Sequence, residues 1–391
     1  MASPYRRVIL KLSGEALGLD GKLFCHEKFE QVARMLIDIQ HTGVELAVVI
    51  GGGNVWRGRR GAAMRMGTVA ADQMGMLATL QNCLYMRDTL DHLGARAVVM
   101  SGVDIPRFAE SYNTVAAIEH LRAGRILFLA CGLGNPCFST DSAVVLRAIE
   151  LECDAILMAK NIDGVYTADP HVDPSATLIP RITYAELREM AFMGASVLHE
   201  ESILPVKEKG ISLNIRNTNR PDEPGTFIVE HIESESELER PITGIAGRRN
   251  FTILTVLKRN MNASTTLCNA LEILDRYHAS VEHITLGLDS FALVVSSAAL
   301  ENTLYDVIAD IQKTCRPDDA RVQDGIALVA AVGRKMPARP GTSGKLFQAL
   351  GEHGLNIRTI AQGADELSII VGVENCDFEK AIRVLYDGFT G

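Results

Sequence analysis

The 391-residue chain exceeds the size at which one hydrophobic core keeps growing, so two or three domains are expected. Hydrophobic residues make up 47% and charged residues 22%, an ordinary globular composition that excludes wholesale disorder. The formal net charge of −9 offers no net basic surface to nucleic-acid phosphates or anionic lipid, so any phosphate affinity must be local.

The eight cysteines and ten histidines are scattered along the chain and show no zinc-ligand spacing. This predicts reduced thiols and no metal centre. The apolar stretch Val8 to Leu12 is too short for a signal-peptide core, and no window carries the ~18 apolar residues of a membrane helix. We therefore expect a cytoplasmic protein without nucleic-acid or membrane partners.

From residue 1 to about 230, short β-branched runs alternate with longer amphipathic stretches, which predicts an α/β domain with a mainly parallel sheet. Three strands run into glycine-rich or small-polar loops, namely KLSGEAL, GGGNVWRG and CGLGNPCFSTD. Exposed N–H groups in such loops attract anions, and phosphate is the natural ligand. The predicted strands are Arg7–Leu12, Glu45–Ile50, Ala95–Met100, Arg125–Ala130, Ala155–Met158 and Ser212–Ile215.

The acidic stretch EHIESESELER predicts a solvated connector, which we place at 231–242. Beyond it the sequence at 251–264 recurs at 326–339, and chance explains the match poorly. Each copy reads as a ferredoxin-like βαββαβ unit. Each copy lacks an obvious last strand, and ITGIAGRRN at 242–250 is a spare strand candidate, so strand exchange between the copies is expected.

The glycine-rich loops do not match the common nucleotide-binding motifs. The run from Gly51 to Asn54 lacks the GK[ST] ending of a P-loop, and CGLGNPC lacks the last glycine of the dinucleotide fingerprint. The HRD and DFG triplets of protein kinases are also missing. A different phosphotransfer scaffold is therefore required.

Six segments resemble, in order and spacing, the motifs of bacterial uridylate kinase, a member of the amino-acid kinase superfamily. They are VILKLSGEAL, VVIGGGNVWRG, DQMGMLAT, MRD, GNPCFSTDSAVVLRAIE and DGVYTADP. The resemblance implies a three-layer αβα domain of carbamate kinase type over residues 1–230. It also implies transfer of a phosphoryl group from ATP to UMP.

The resemblance also assigns roles to individual residues. Lys11 and Gly14 would meet the transferring phosphoryl group, and Asp141 would orient the lysines. The catalytic residues would be Lys11, Arg57, Asp141 and Lys160. The ATP-binding residues would be Lys11, Ser13, Gly14, Gly53, Arg57, Lys160, Tyr166 and Asp169. The UMP-binding residues would be Gly52, Asp72, Leu133, Gly134, Asn135 and Thr140.

Two further expectations follow from the resemblance. Leu133 stands where uridylate kinases often place a threonine against the base. Mg²⁺ would accompany ATP and be held mainly by the nucleotide phosphates, because this ion keeps waters and needs few protein ligands. No residue is therefore assigned as a metal ligand.

From about residue 180 the sequence resembles aspartokinase instead. The stretch from ITYAELREM to DEPGT is similar to the end of the aspartokinase catalytic domain, and residues 243–391 are similar to its tandem ACT regulatory domains. This implies a small-molecule effector, with Met261, Ser264 and Glu282 as candidate contacts. Both parent families form homo-oligomers, so a homo-oligomer is expected.

Three functions remain open. KLSGEA and NPCFSTD replace the aspartokinase opening and its carboxylate-gripping loop, which favours UMP as acceptor. The aspartokinase-like tail keeps open an aspartate kinase, or a related carboxylate kinase that forms an acyl phosphate. A non-catalytic nucleotide- or effector-binding regulator is the third alternative, and the presence of Lys11, Arg57, Asp72 and Asp141 argues against it.

Overall fold

The computed structural model describes residues 5–19, 22–57, 64–195, 206, 208–220, 222–232, 241–259 and 263–390. Two compact units result: residues 1–165, 178–184 and 197–232 form the first, and residues 166–177, 185–196 and 233–391 form the second. Two short segments before residue 200 therefore pack with the C-terminal part of the chain. The domain boundaries 1–230, 231–242 and 243–391 stay a prediction, and most of the connector lies outside the described residues.

The first unit is built on one nine-stranded sheet in the order β4-β3-β5-β2-β1-β6-β8-β9-β7, in which only the β8–β9 pair is antiparallel. This confirms the predicted mainly parallel sheet. Its elements are β1 (Arg7–Leu12), α1 (His26–His41), β2 (Glu45–Ile50), α2 (Thr68–His92), β3 (Ala97–Ser101), β4 (Glu110–Ser111), α3 (Thr114–Arg122), β5 (Ile126–Ala130), α4 (Thr140–Glu150), β6 (Ala155–Lys160), β7 (Arg181–Thr183), β8 (Ser212–Asn217) and β9 (Thr226–Val229).

The central strands are buried on both faces, as their continuous apolar sequences require. Leu10, Val48 and Ile50 pack into one core with α1 and α2. The alternate residues Ile9 and Val49 are equally buried and point to the opposite face, because side chains alternate along a strand. The sheet thus lies between helical layers, in agreement with the predicted three-layer class.

Several strand ends differ from the prediction by one or two residues, and two of these differences have a clear local reason. The strand expected from Ala95 begins at Ala97, because the amide of Ala95 still donates to the carbonyl of Leu90 and closes α2. The strand expected to stop at Met158 continues to Lys160, since β8 pairs with it throughout. The second difference places Lys160 at the strand end.

The second unit contains a six-stranded antiparallel sheet in the order β11-β12-β10-β13-β15-β14. Helix α5 (Tyr184–Phe192) begins at the last residue of the first unit and continues in the second. The other elements are β10 (Gly244–Leu257), α6 (Ala263–Arg276), β11 (Val281–Leu286), β12 (Ser290–Ser296), α7 (Ser297–Leu300), α8 (Leu304–Cys315), β13 (Asp319–Val332), α9 (Thr342–Glu352), β14 (Thr359–Gln362), β15 (Ser368–Glu374) and α10 (Phe378–Thr390).

The two repeats exchange strands as expected. The first half of β10, Gly244 to Arg248, pairs with residues 328–332 and completes the second repeat. The first half of β13 pairs with residues 253–257 and completes the first repeat. Each repeat therefore reaches the ferredoxin-like βαββαβ order only with a strand half supplied by the other. Within the ranges given above, no helix has both the length and the hydropathy needed to cross a bilayer.

Candidate active site

The carboxyl ends of β1, β2, β5 and β6 lie at one edge of the sheet, because these strands are parallel. The three glycine-rich loops follow β1, β2 and β5. Lys160 is the last residue of β6, and Asp141 lies in the first turn of α4. The topology therefore brings the predicted phosphate-binding segments to one place.

Asp141 lies between two lysines from different strands. Its Oδ1 is 3.3 Å from Lys11 Nζ, and its Oδ2 accepts a hydrogen bond from Lys160 Nζ at 3.0 Å. The exposed fractions of the three side chains are only 9% for Asp141, 12% for Lys11 and 19% for Lys160. These residues form a compact charged cluster, which we call the Lys–Asp–Lys triad.

Burial and charge act in opposite directions on the triad. Burial alone would raise the pKa of Asp141, but the charges of Lys11 and Lys160 outweigh it and hold the carboxyl pKa below its usual value. Burial lowers the pKa of Lys160, against the opposing effect of Asp141. Two ammonium groups and one carboxylate leave a net charge of +1, which suits an anionic ligand.

Gly14 allows the loop after β1 to pack against the loop after β2. A Cβ atom at Gly14 would overlap the carbonyl oxygen of Gly51 and crowd the side chain of Asn54. Asn54 exchanges hydrogen bonds with Asn82 of α2, and Asn82 also donates to the Gly51 carbonyl at 2.8 Å. This contact fixes the two loops beside each other.

Arg57 is not part of the triad. Its Nη2 lies 2.7 Å from Glu15 Oε1, and its Nε donates to the Gly53 carbonyl at 3.4 Å. Both partners of the ion pair are more than 40% exposed, so the pair is weakly held. Ser13 precedes Gly14 and forms the N-terminal end of the short 3₁₀ turn Gly14–Leu17, without a side-chain capping bond.

A cavity of about 220 Å³ lies beside these loops, between α2 and the segment after β5. Asp72 joins its two sides, because Asp72 Oδ2 accepts a hydrogen bond from the amide of Cys137 at 2.9 Å. Trp56 Nε1 donates to the carbonyl of Ala71 and holds the indole in the wall. The lining includes Gly52, Gly53, Trp56, Asp72, Met76, Thr79, Leu133, Asn135, Phe138, Ser139 and Thr140.

The segment Cys131–Cys137, called the acceptor loop after the role that the resemblance predicts for it, has an unusual backbone. Cys131, Gly132, Gly134 and Cys137 all have positive φ, and a Cβ at Gly134 would overlap the carbonyl of Gly102. Left-handed conformations of non-glycine residues cost free energy and require external support. Thr79 provides part of it, because its Oγ1 accepts a hydrogen bond from the amide of Cys131 at 2.8 Å.

The structure thus groups most of the predicted acceptor residues around one cavity. Gly134 belongs to the acceptor loop but is not part of the cavity lining. The motif resemblance assigns no role to Thr79 or Trp56, although both lie in the matched segments DQMGMLAT and VVIGGGNVWRG. A motif match identifies the segment, whereas the hydrogen bonds to Cys131 and Ala71 require the folded chain.

The remaining predicted residues belong to the second unit. Asp169 is exposed and makes a local turn, in which its Oδ1 accepts from the amide of His171. Tyr166, three residues earlier, is half-buried. Glu282 pairs with Arg248 at 3.4 Å, Ser264 is exposed in the first turn of α6, and Met261 lies outside the described residues. Their assigned roles stay predictions.

The part of the chain that the structure describes contains no group of three or more His, Cys, Asp or Glu residues arranged to hold a metal ion. Both oxygens of Asp141 already face ammonium groups. A divalent ion at this site would therefore depend on ligands from a bound molecule.

Comparisons with known proteins support the resemblances stated for the two parts of the chain. The amino acid kinase family matches residues 6–217, and the ACT domain family matches residues 329–389. A uridylate kinase of Azorhizobium caulinodans is 45% identical over 208 residues, which cover 52% of this chain and 87% of the relative.

Two solved structures are similar to the fold. Clostridium acetobutylicum aspartate kinase has a TM-score of 0.76 and 25% identity, with 98% of this chain and 100% of that one covered. The UMP kinase of Bacillus anthracis has a TM-score of 0.55 and 31% identity, with 59% of this chain and 98% of that one covered. The resemblance predicted from the motifs is confirmed.

Proposed function

Because the chain belongs to the amino acid kinase family, we propose that it transfers the γ-phosphoryl group of ATP to UMP and yields ADP and UDP. The cavity beside α2 is the acceptor site in this proposal, and the Lys–Asp–Lys triad is the phosphoryl-transfer centre. The roles assigned to Lys11, Arg57, Asp141 and Lys160 belong to the same proposal.

The composition of the cavity wall carries the choice of acceptor. Among the described residues, the wall contains the carboxylate of Asp72 and no lysine or arginine. Aspartate carries two carboxylates and one ammonium group, and Asp72 could pair only with the ammonium, so both substrate carboxylates would lack a cationic partner in this wall. A ribose can donate its hydroxyls to Asp72, and a flat base suits walls formed by Trp56, Met76 and Phe138.

The acceptor phosphate would lie at the end of the cavity formed by Ser139 and Thr140. There α4 begins, and its first N–H groups and dipole favour an anion. Asp141 follows directly in the chain, so the triad adjoins this end. An acceptor phosphate is already a nucleophile, so the reaction requires in-line positioning and charge neutralisation rather than a catalytic base.

Within the triad, the lysines would neutralise the transferring phosphoryl group while Asp141 holds both ammonium groups in place. The pKa of Asp141 is lowered by those lysines, so it stays a carboxylate at neutral pH. Such pre-arranged charges are worth more in a buried site than in water. Mg²⁺ would arrive with ATP and screen the charge of its phosphates. Both Asp141 oxygens face ammonium groups, which fits an ion held mainly by the nucleotide.

The second unit would make the enzyme responsive to a small-molecule effector. The ACT-domain match lies in the second of its two strand-exchanged repeats, and ACT domains serve as sensors in the aspartokinase regulatory region that the sequence resembles. We extend the proposal to a cytoplasmic homo-oligomer, on the basis of the resemblance.

Aspartate kinase is the second candidate. It is favoured by the similarity to Clostridium acetobutylicum aspartate kinase, which extends over 98% of this chain. The opposing observation is the wall around Asp72, which lacks a cation among the described residues. A regulator without turnover is the third candidate and conflicts with an intact triad.

An ADP-release assay that offers UMP, CMP and aspartate separately decides between the candidates. We expect turnover with UMP. Turnover with aspartate and none with UMP would reject the proposal. If none of the three acceptors raises ADP release above background, the regulator is favoured. The variant Lys11→Met is the control, because activity from a contaminating kinase would persist in it.

A further inference from the structure

Arg147 lies on α4, about 1.7 turns beyond Asp141, and only 7% of its side chain is exposed. A buried guanidinium requires compensation for its lost hydration. The carboxylate of Glu150 provides a charge partner, with 2.7 Å between Arg147 Nη1 and Glu150 Oε2. The ring of Tyr112 adds a cation–π contact, since the guanidinium carbon lies 3.5 Å from the ring centroid.

These two partners are themselves connected. Tyr112 donates its hydroxyl to Glu150 Oε2 at 2.8 Å, and its backbone amide donates to the carbonyl of Ser101 at the end of β3. The ring is therefore anchored to the sheet, and Arg147 is held between the ring and Glu150. A side chain fixed in this way has lost its rotamer freedom during folding rather than on ligand binding.

The remaining contact of Arg147 points to the acceptor loop. Arg147 Nη2 donates to the carbonyl of Gly132 at 3.2 Å. Gly132 lies between Cys131, whose amide is held by Thr79, and Leu133, which lines the cavity. A hydrogen bond from a charged donor to this carbonyl opposes rotation of the Cys131–Gly132 backbone out of its left-handed conformation.

We propose that Arg147 is a positioning residue for the phosphoryl acceptor, which it orients through the Gly132 carbonyl without touching the substrate. Tyr112 and Glu150 keep the guanidinium in place. The inference rests on the cavity being the acceptor site of the proposed function, but not on the identity of the acceptor. It predicts that loss of Arg147 weakens acceptor binding and leaves ATP binding intact.

The variant Arg147→Met tests this with two independent measurements. The KM for the acceptor that the wild type uses should rise by about tenfold or more, the factor expected for one charge-assisted hydrogen bond, with the KM for ATP unchanged. Hydrogen exchange of the backbone amides in 131–137 should become faster in the protein without substrate. Arg147→Lys should recover the KM only in part, because lysine lacks the planar donor fork.

Two matched variants separate positioning from general destabilisation. Tyr112→Phe keeps the stacked ring and should stay within about threefold of the wild-type KM, since it loses only the hydroxyl's bond to Glu150 and the long one from Thr114. Arg34→Met removes an arginine that is 62% exposed on α1 and should change neither measurement. If Arg147→Met does not fold, Tyr112→Leu takes its place. Tyr112 is not part of α4, and loss of its ring should accelerate hydrogen exchange in 131–137.

Unchanged exchange in 131–137 together with an unchanged acceptor KM overturns the inference. Equal rises in both KM values also overturn it, because they indicate a general structural defect. If the wild type accepts neither UMP nor aspartate, the proposed function fails, and the exchange measurement still decides whether Arg147 orders the acceptor loop.

Discussion

Lys160 donates a hydrogen bond to Asp141 across 3.0 Å, joining the end of β6 to the first turn of α4. Lys11 approaches the other carboxylate oxygen from the end of β1, with 3.3 Å between Nζ and Oδ1. The three residues come from three separate elements, so the ends of two strands and one helix must meet correctly for the triad to form.

Replacement of Lys11 tests the phosphoryl-transfer centre. Lys11→Met should lower kcat by roughly 10²–10³-fold, the usual effect of removing one pre-arranged charge-stabilising group. The unfolding temperature should stay close to that of the wild type, because the variant loses the contact of Lys11 with Asp141 but also the repulsion between the two ammonium groups. Lys313→Met, at an exposed position of α8, is the control and should retain full activity. Unchanged kcat in Lys11→Met contradicts the proposed centre.

The pH–rate profile reports on Lys160. Burial lowers the pKa of Lys160. As the pH rises, its charge and the activity that depends on it should therefore be lost before the ordinary lysine pKa is reached. Lys160→Arg keeps its charge at any accessible pH, and its alkaline limb should move upward even if kcat is lower. An alkaline limb in the same place for both proteins assigns that titration to another group.

Asp141→Asn tests the stability linked to the triad. Folding lowers the pKa of Asp141, so the carboxylate stabilises the protein above its unfolded pKa of about 3.9, and this stability is lost as the pH falls through the folded value. The difference in unfolding free energy between wild type and variant should be constant near neutral pH and shrink below about pH 4. Denaturant unfolding at a series of pH values measures it. A difference that grows on acidification would refute the assignment.

Two glycine substitutions compare a crowded position with an open one. Gly14→Ala should destabilise the protein by at least about 1–3 kcal/mol and remove activity, since the added methyl overlaps the Gly51 carbonyl. Gly351→Ala lies in α9 with open space around it, and should be neutral or stabilising by about 0.4–1 kcal/mol. Thermal unfolding of both variants provides the test, and equal effects would contradict the loop packing.

The second unit contains a buried ion pair whose disruption should be costly. Glu186 of α5 is fully buried, and its two carboxylate oxygens lie 2.9 and 3.1 Å from Arg334 Nη1. Thr243 also donates to this carboxylate. Arg334→Met leaves the carboxylate without its cation and should destabilise the protein by about 3–5 kcal/mol.

The double variant Glu186→Gln with Arg334→Met should be more stable than Arg334→Met alone, because no buried charge then lacks its partner. Denaturant unfolding of the wild type, both single variants and the double variant measures the coupling. Strict additivity would show that the pair contributes no interaction of its own.

Periodicity and motifs determined much of this protein in advance. The bounds of β1 and β2 follow from continuous apolar runs that end in glycine-rich loops. The strand exchange follows from two copies that each lack an obvious last strand, together with an additional strand candidate at 242–250. The position of the glycine-rich loops at one sheet edge follows from parallel pairing. These features depend on short-range patterns, which a single sequence records directly.

Other features were decided only when distant segments met. The ion pair of Arg57 with Glu15, the support of Cys131 by Thr79 and the contact of Arg147 with Gly132 join residues whose side-chain directions the sequence does not specify. The packing of 166–177 and 185–196 with the C-terminal unit is of the same kind. Hydrogen bonds and ion pairs depend on ångström-scale distances and angles, and only the packed chain sets those.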